Sequence, residues 1–292
     1  MKKSIQGGLQ TLGHHKKSLP HLPLVSVITV VYNGEKFLEK AINSVLNQTY
    51  NNIEYLIIDG GSTDSTLEII KKYNKEIDYW VSEPDKGIYD AMNKGINLSS
   101  GEIVGILNSD DVYQLNALEL SVNGIINFRA DYSYGSVYRI DDFDKVVGAF
   151  HPLSKDKFGV TLQRSLYPHA SLFVTRQVYF SKVGLFNTNY RIAADLDFMI
   201  RIHKRGCFGV DMSEYIASFR TGGVSVAAET CLESRNIAIA HGRCKFICKF
   251  KYIQNHILRI LLVSFVPRST FIVLHKLLNK LKLLNSKFEF YS

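Results

Sequence analysis

Short runs of consecutive apolar residues punctuate the first part of this 292-residue chain. Val25–Tyr32 is an almost uninterrupted run of β-branched residues, and Ile53–Asp59 repeats the pattern. Runs of this kind predict strands that are covered on both faces. Two shorter runs, 77–81 and 102–107, predict two more strands.

Between these runs, apolar positions recur every three or four residues, which predicts helices. One helix is expected over about 35–47, with Asn33 before it as a cap. A second is expected from Ser65, where Glu68 three residues later fits a capping box, and a third over 88–98. Strands and helices that alternate through short links predict an α/β fold, in which helices flank a mainly parallel sheet.

The alternation weakens after Asp111. The remaining predicted elements are a helix at about 114–127, strands at 132–140, 145–150 and 171–174, and helices at 176–183 and 195–205. No linker interrupts the chain before residue 225, so 24–225 is predicted to be one domain. Residues 1–23 contain lysines, glycines and prolines but no acid, which predicts a mobile basic tail.

Basic residues are concentrated at the two ends of the chain. The net charge is +8, although residues 1–23 carry four lysines and residues 241–292 carry ten Lys and Arg against Glu289 alone, so the central span is acidic. Such ends suit an anionic phospholipid surface, and we expect no nucleic-acid partner. The start has no apolar core of signal-peptide length, and the four cysteines are irregularly spaced. A reducing, cytoplasmic location is therefore expected.

The C-terminal segment 226–292 is predicted to be a basic amphipathic helical tail. Arg259, Pro267 and Arg268 interrupt its apolar stretches, so a membrane-spanning helix is not expected. Over 270–287, leucines recur at helical spacing beside lysines, which is typical of a helix that lies in a membrane surface. A basic helix docked on the main domain is the alternative.

Polar side chains collect where the first four strands are predicted to end. These groups are Tyr32-Asn33, Asp59-Gly60-Gly61-Ser62, Ser82-Glu83-Pro84-Asp85 and Asp110-Asp111. Open α/β sheets bind ligands beyond the carboxyl ends of their strands. We therefore expect these residues to form one site.

Asp110 and Asp111 are the strongest candidates for metal binding. Adjacent carboxylates repel each other by about 1 kcal/mol or more unless a cation lies between them. Mg²⁺ and Mn²⁺ favour oxygen ligands together with substrate phosphates. A solvated acidic turn is the alternative. Asp59, which precedes two glycines, is placed to contact a base or a ribose, and a turn aspartate is its alternative.

Four segments resemble, in order, the signature of the family 2 glycosyltransferases. They are VSVITVVYN (25–33), IIDGGSTD (57–64), EPDKGIYDAMNKG (83–95) and GEIVGILNSDD (101–111). The likeness covers about residues 24–225, and the stretch 84–93 resembles the subgroup of capsular and exopolysaccharide (colanic-acid-type) synthesis. It implies a GT-A fold with a nucleotide-binding half at 24–111 and an acceptor half at 112–225. The implied activity is that of an inverting hexosyltransferase, which moves a sugar from a UDP- or GDP-sugar to a saccharide or lipid-linked acceptor at the inner face of the plasma membrane.

The resemblance also assigns residues to the nucleotide side of the site. Val31, Tyr32 and Glu35 would form the base-side wall of the pocket. Asp59 would contact the base.

The same resemblance assigns two further residues to the nucleotide pocket and two to the metal position. Asp85 and Lys86 would border the nucleotide pocket, with a solvated loop charge as the alternative for Lys86. Asp110 would lie near the ribose and the metal, and Asp111 would bind Mn²⁺ or Mg²⁺ directly. Ser109 replaces the first aspartate of the D-x-D spelling.

An inverting transfer needs a general base for the acceptor hydroxyl. Asp195 matches the family's catalytic acid, although Ala194 precedes it where many members have Glu. A helix-start carboxylate is the alternative. His169 matches a recurrent histidine that would orient the acceptor or the diphosphate, and a hydrogen-bonded structural histidine is its alternative.

Two other functions stay open at this point. One is a non-catalytic nucleotide-binding scaffold of a glycan-assembly complex. The other is a sugar nucleotidyltransferase, but that class has a glycine- and arginine-rich loop after the first strand, and Tyr32-Asn33-Gly34-Glu35 is not such a loop.

Overall fold

A computed structural model describes residues 4–152, 167–221 and 228–243 of the chain. The chain divides into two compact units, Met1–Gly223 and Val224–Ser292.

One mixed sheet of ten strands organises the described part of the first unit. In chain order the strands are β1 (Ile5–Gly7), β2 (Val25–Val31), β3 (Ile53–Asp59), β4 (Tyr79–Ser82), β5 (Ile103–Asn108), β6 (Val112–Tyr113), β7 (Tyr132–Ile140), β8 (Val146–Phe150), β9 (Phe173–Thr175) and β10 (Gly209–Arg220). In space they follow the order β1-β4-β3-β2-β5-β9-β7-β10-β6, and β8 pairs with β7 off this path.

Helices cover both faces of the sheet. They are α1 (Leu38–Leu46), α2 (Thr66–Lys72), α3 (Ile88–Leu98), α4 (Ala117–Phe128) and α5 (Ala194–Lys204). One apolar cluster joins α1, α2 and α4 to the first face, and a second joins α3 and α5 to the other face. The predicted α/β class, with a sheet flanked by helices, is confirmed.

The strands β2, β3, β4 and β5 form the parallel part of the sheet. All seven residues of β2 are buried because helices cover both of its faces. Burying an aliphatic side chain of this kind contributes about 1.5–3 kcal/mol. The continuous apolar runs of the sequence therefore correspond to the centre of the sheet.

The second half of the sheet is mostly antiparallel around β7. This strand pairs antiparallel with β8 and β9 but parallel with β10. The sequence did not predict β10, because a polar stretch and a register shift between Asp211 and Tyr215 interrupt its alternation. Ser213 has a φ of 56°, which departs from strand geometry within that stretch.

Within the segment 1–23, for which the sequence predicts a mobile tail, Ile5–Gly7 form a strand and Leu9–Leu12 a short 3-10 helix. β1 pairs antiparallel with β4, and Leu9 N–H donates to the carbonyl of Ile77 over 3.1 Å. Gly7 permits this approach, since a Cβ there would lie 2.6 Å from the Trp80 ring. Lys16 Nζ then reaches the buried carboxylate of Asp78 at 2.9 Å. The open edge of β4 thus orders a segment whose composition alone indicates disorder.

In the second unit the described element is the helix α6 (Ala228–Ala240). The amphipathic segment 270–287 lies outside the described residues. Among the residues that the structure does describe, no helix is long and apolar enough to cross a membrane.

Candidate active site

The carboxyl ends of four parallel strands meet at one edge of the sheet. Val31 at the end of β2 pairs with Asp59 at the end of β3, and Asp59 pairs with Ser82 at the end of β4. On the other side of β2, Val30 pairs with Asn108 at the end of β5. The polar groups that follow these strands therefore lie side by side, as expected for parallel strands that end level with one another.

Asp59 is fully buried at this edge, and its carboxylate is held by hydrogen bonds from protein groups. Oδ1 accepts from Ser62 Oγ at 2.5 Å, and Oδ2 accepts from Ser82 Oγ at 2.5 Å. The Ser62 amide donates to the same carboxylate at 3.2 Å. Asp59 thus fixes the loop after β3 against the end of β4.

Gly60 lies where the loops after β2 and β4 converge on β3. A Cβ at this position would be 2.5 Å from Asp85 Oδ2 and 3.4 Å from a carbon of the Tyr32 ring. Burial raises the pKa of Asp85 first of all, and the charges of Asp90 and Asp59 add to that shift. The ring of Tyr32 is 64% exposed, so it remains available as a surface for a ligand.

The loops after β2 and β3 are joined to each other by hydrogen bonds. Asn33 Oδ1 accepts from the Thr63 amide at 2.9 Å, and Glu35 Oε2 accepts from the Ser65 amide at 2.9 Å. Glu35 therefore caps the start of α2, while Val31 is 5% exposed and packs in the core. Neither contact tests the wall that the sequence predicts for the base; Glu35 orders the loop, and Val31 belongs to the core beneath it.

Lys86 is exposed in the loop between β4 and α3. Its amide donates to Asp90 Oδ2 at 3.0 Å, which caps the beginning of α3. The ammonium group extends from the loop that also carries Asp85.

Asp110 and Asp111 follow β5 and are largely withdrawn from solvent. Asp111 is fully buried, and burial raises the pKa of its carboxyl group well above the usual value, with the charge of Asp110 as the next cause. Burial also raises the pKa of Asp110, while Arg220 opposes the shift. Asn108 Oδ1 is buried beside them without a hydrogen-bond partner among the described residues.

These two carboxylates fit a hard divalent cation. Both offer oxygen ligands, and a cation would offset the cost of burying their charges, which is the main cause of their raised pKa values. The described residues contain no group of three or more His, Cys, Asp and Glu arranged to hold a metal ion. The donor set therefore suits an ion that takes its other ligands from water and substrate phosphates, as Mg²⁺ commonly does.

Arg220, at the end of β10, organises the metal side of the site, and sequence reasoning did not identify it. Its amide donates to Asp111 Oδ1 at 3.0 Å, and Nε donates to the carbonyl of Asp110 at 3.1 Å. Nη2 donates to Asp144 Oδ1 at 2.6 Å, and the guanidinium lies 3.9 Å from the centroid of the Phe37 ring. Arg220 is only 2% exposed. The only signal in the sequence was one arginine at the end of an apolar stretch.

Helix α3 joins the first half of the sheet to the segment 186–195, which belongs to the predicted acceptor half. Tyr89 Oη donates to the carbonyl of Ile192 at 2.8 Å and lies 3.3 Å from Asp195 Oδ1. One turn later, Asn93 exchanges two hydrogen bonds of 2.9 Å with the backbone of Phe186. Tyr89 and Asn93 lie four residues apart on one face of α3. This spacing within the segment 83–95 is the signal in the sequence that points to the pair.

Asp195 lies in the first turn of α5 and is partly exposed. Asp197, two residues later, is 5% exposed and forms an ion pair of 2.8 Å with Arg201. Asp197 therefore has a structural partner inside its own helix. Burial lowers the pKa of His169, and the carboxylate of Asp195 acts in the opposite direction. His169 and Asp195 are thus close enough to interact electrostatically.

Comparison with known proteins shows the family of this chain. The family model Glycosyl transferase family 2 matches residues 26–185. An uncharacterized glycosyltransferase of Mycobacterium tuberculosis is 34% identical over 209 residues, which are 69% of this chain and 77% of the relative. Another, from Rickettsia typhi, is 34% identical over 190 residues, which are 62% of this chain but only 59% of the relative. The chain belongs to glycosyl transferase family 2.

Solved structures share the fold. The S. aureus TarS fragment in complex with UDP-GlcNAc has a TM-score of 0.60 at 18% identity, over 85% of this chain and 77% of that one. The mannosyltransferase PcManGT from Pyrobaculum calidifontis, in complex with GDP-Man and Mn²⁺, has a TM-score of 0.57 at 17% identity, over 95% and 86% of the two chains. The sheet described above is the GT-A fold of these glycosyltransferases.

Proposed function

We propose that this protein transfers a sugar, with inversion, from a UDP- or GDP-sugar to a saccharide acceptor. The observation that carries the proposal is the meeting of Asp59, Asp85 and Asp111 at the carboxyl ends of parallel strands, in a chain of family 2. TarS with UDP-GlcNAc and PcManGT with GDP-Man support a nucleotide-sugar donor.

The nucleoside occupies the edge between β2 and β4 in this proposal. Tyr32 stacks against the base, and Val31 and Glu35 shape the wall behind it. Asp59 contacts the base through the lone pairs that Ser62 and Ser82 leave available. The exposed ring of Tyr32 supports this arrangement.

The diphosphate lies beside the loop after β5. Asp85 and Lys86 border the nucleotide pocket. Asp110 lies near the ribose and the metal position, and Asp111 would hold Mn²⁺ or Mg²⁺. Such an ion would neutralise charge on the leaving diphosphate. Arg220 keeps the two aspartates in place, and the buried, closely spaced carboxylates support this role.

Asp195 acts as the general base. It takes the proton from the acceptor hydroxyl while the acceptor oxygen bonds to the anomeric carbon of the sugar. The bond from that carbon to the phosphate oxygen breaks, and the nucleoside diphosphate leaves with the bonding electrons. Tyr89 positions Asp195, and His169 orients the acceptor or the diphosphate. The hydrogen bond between Tyr89 and Asp195 supports this assignment.

The first test is release of nucleoside diphosphate from a panel of UDP- and GDP-sugars, with Mn²⁺ or Mg²⁺ and then with EDTA. We expect release that EDTA abolishes, and a loss of about 100-fold or more in Asp195→Asn, as for removal of a general base. Glu102→Gln is the matched control, because Glu102 is exposed at the opposite end of β5. Nucleotide binding without turnover would favour a scaffold, and pyrophosphate release would favour a nucleotidyltransferase.

We further propose that the acceptor is lipid-linked and belongs to capsular or exopolysaccharide synthesis on the inner face of the plasma membrane. The basic, leucine-rich pattern over 270–287 supports binding to an anionic membrane. Deletion of residues 241–292 should release the protein from the membrane fraction of expressing cells. Unchanged recovery with membranes would contradict this part of the proposal.

A further inference from the structure

An aromatic surface lies on β7, on β10 and on the residue that follows β8, beyond the residues assigned above. The rings of Tyr138 and Tyr215 stack with centroids 3.8 Å apart and an interplanar angle of 4°. His151 meets the Tyr215 ring edge-on at 5.8 Å, and its Nδ1 lies 2.9 Å from Ser136 Oγ. We call Ser136, Tyr138, His151 and Tyr215 the aromatic platform.

The strand registers place these four side chains on one face of the sheet. Ser136 and Tyr138 are two residues apart on β7, and Tyr215 pairs with Ser136 on the neighbouring β10. Tyr134, two residues earlier on the same face, belongs to the apolar cluster covered by α3 and α5. The platform therefore faces the same side of the sheet as the helix that begins with the proposed base.

The platform is also adjacent to the turn that carries His169. Ser171, in that turn, donates from Oγ to the carbonyl of Gly135 at 2.8 Å and accepts from the Gly135 amide at 3.3 Å. Gly135 precedes Ser136 directly, and Tyr138 lies about 10 Å farther along the strand at about 3.3 Å per residue. The platform thus begins one residue after the contact between β7 and this turn.

Core packing does not account for the platform. Tyr134 and Tyr167 also stack, at 4.4 Å, but both are buried, at 5% and 3% exposure. Tyr138 and Tyr215 remain partly exposed, and His151 is exposed. Each of the two stacked rings covers one face of the other, and the part of the pair that solvent reaches has apolar ring surface and hydroxyl edges. Such a surface matches a pyranose ring, which has an apolar C–H face and a polar rim.

We infer that Tyr138, Tyr215 and His151 form a subsite for a pyranose ring of the acceptor. This inference rests on the proposed sugar transfer and names the residues that bind the acceptor. Stacking on the tyrosines supplies affinity, and the histidine and the tyrosine hydroxyl groups bond the hydroxyl rim.

The probes are methyl pyranosides of glucose, galactose, mannose and N-acetylglucosamine, observed by saturation-transfer NMR on the full chain. We expect the wild type to bind at least one of them, and Tyr138→Ala and Tyr215→Ala to weaken that binding by about tenfold. Tyr138→Phe should bind within about threefold of the wild type because the ring face remains. Tyr138→Leu, which keeps the side-chain bulk, serves if the alanine variant does not fold. Phe128→Ala is the control, since Phe128 is 60% exposed at the end of α4.

Each outcome decides the inference. Saturation transfer to none of the pyranosides, or equal binding by the alanine variants, would overturn it. Weakened nucleotide-sugar binding or weakened acceptor-independent nucleotide release in those variants would assign the platform to the donor sugar and overturn the acceptor assignment. If the wild type binds a pyranoside but releases nucleoside diphosphate from no donor, the proposed transfer fails while the saccharide subsite stands.

Discussion

Asp111→Asn removes a buried negative charge and keeps the shape of the side chain. The asparagine Oδ1 can still accept from the Arg220 amide, which donates to Asp111 over 3.0 Å. Asn108 Nδ2 lies 3.5 Å from Asp111 Oδ2, and turning the Asn108 amide would bring its buried Oδ1, which has no partner among the described residues, to the new amide nitrogen. In the absence of metal we therefore expect the variant to be more stable than the wild type, although it should lose activity.

The magnitude follows from the two causes that raise the pKa of Asp111, burial first and the charge of Asp110 second. Each unit by which a folded-state pKa rises costs about 1.4 kcal/mol of folding free energy when the group is ionised. A buried polar atom without a partner costs about 1–3 kcal/mol, and the new amide can supply a partner for Asn108 Oδ1. Loss of the buried charge acts in the same direction, so we expect a gain of about 2 kcal/mol in the free energy of unfolding.

The pH dependence has a definite sign. Because the folded pKa lies above the ordinary value of 3.8, the folded state binds the proton more tightly than the unfolded state. The cost is therefore fully present above the raised pKa and disappears as the pH falls toward the ordinary value. The extra stability of Asp111→Asn over the wild type should therefore shrink as the pH falls.

The assay is urea unfolding of both proteins in EDTA from about pH 8 to about pH 5, repeated with Mn²⁺. The ion should stabilise the wild type by about 2.7 kcal/mol at a hundredfold excess over its dissociation constant, and the variant by much less. A variant less stable than the wild type in EDTA at the highest pH would refute the reasoning about charge. Equal stabilisation of both proteins by Mn²⁺ would refute the metal site.

Three further predictions concern packing and loop geometry. In Gly95→Ala the new Cβ would collide with Ile28, so urea unfolding should show a loss of about 1–3 kcal/mol. Asn93→Ala removes both bonds to the Phe186 backbone, and we expect a loss of about 1–3 kcal/mol together with slower turnover, measured by unfolding and nucleotide release. Gly60→Ala should displace the neighbouring aspartate and weaken nucleotide binding by about tenfold in calorimetry, with unchanged affinity contradicting the proposed pocket.

The nucleotide side of this protein could be predicted from local sequence. A run such as Val25–Tyr32 has one stable environment, a strand covered on both faces, and the helix between two such strands forces them to lie parallel. Parallel strands that end level bring Asp59, Asp85 and Asp111 to one edge without further information. The strand pairs Val31–Asp59 and Asp59–Ser82 show that β2, β3 and β4 end level with one another.

The side chains that hold the acidic residues of the site in place could not be predicted in this way, because they come from distant parts of the chain. Arg220 holds Asp110 and Asp111 across more than a hundred residues of sequence, and Tyr89 reaches Asp195 across a comparable separation. No periodicity within a short window encodes such pairs.

The two largest differences between expectation and structure have the same physical origin. β10 contains a polar stretch with a register shift, and it is a strand because β7 offers it a hydrogen-bonding edge. Residues 5–7 form a strand because β4 offers them a second hydrogen-bonding edge. The sequence by itself determined the strands and helices that bury apolar side chains continuously, since each such segment carries its own free-energy preference. Only the tertiary structure decided which strand edges gained a further strand and which side chains met at the site. Pairing at an edge uses backbone groups, so it depends little on side-chain type.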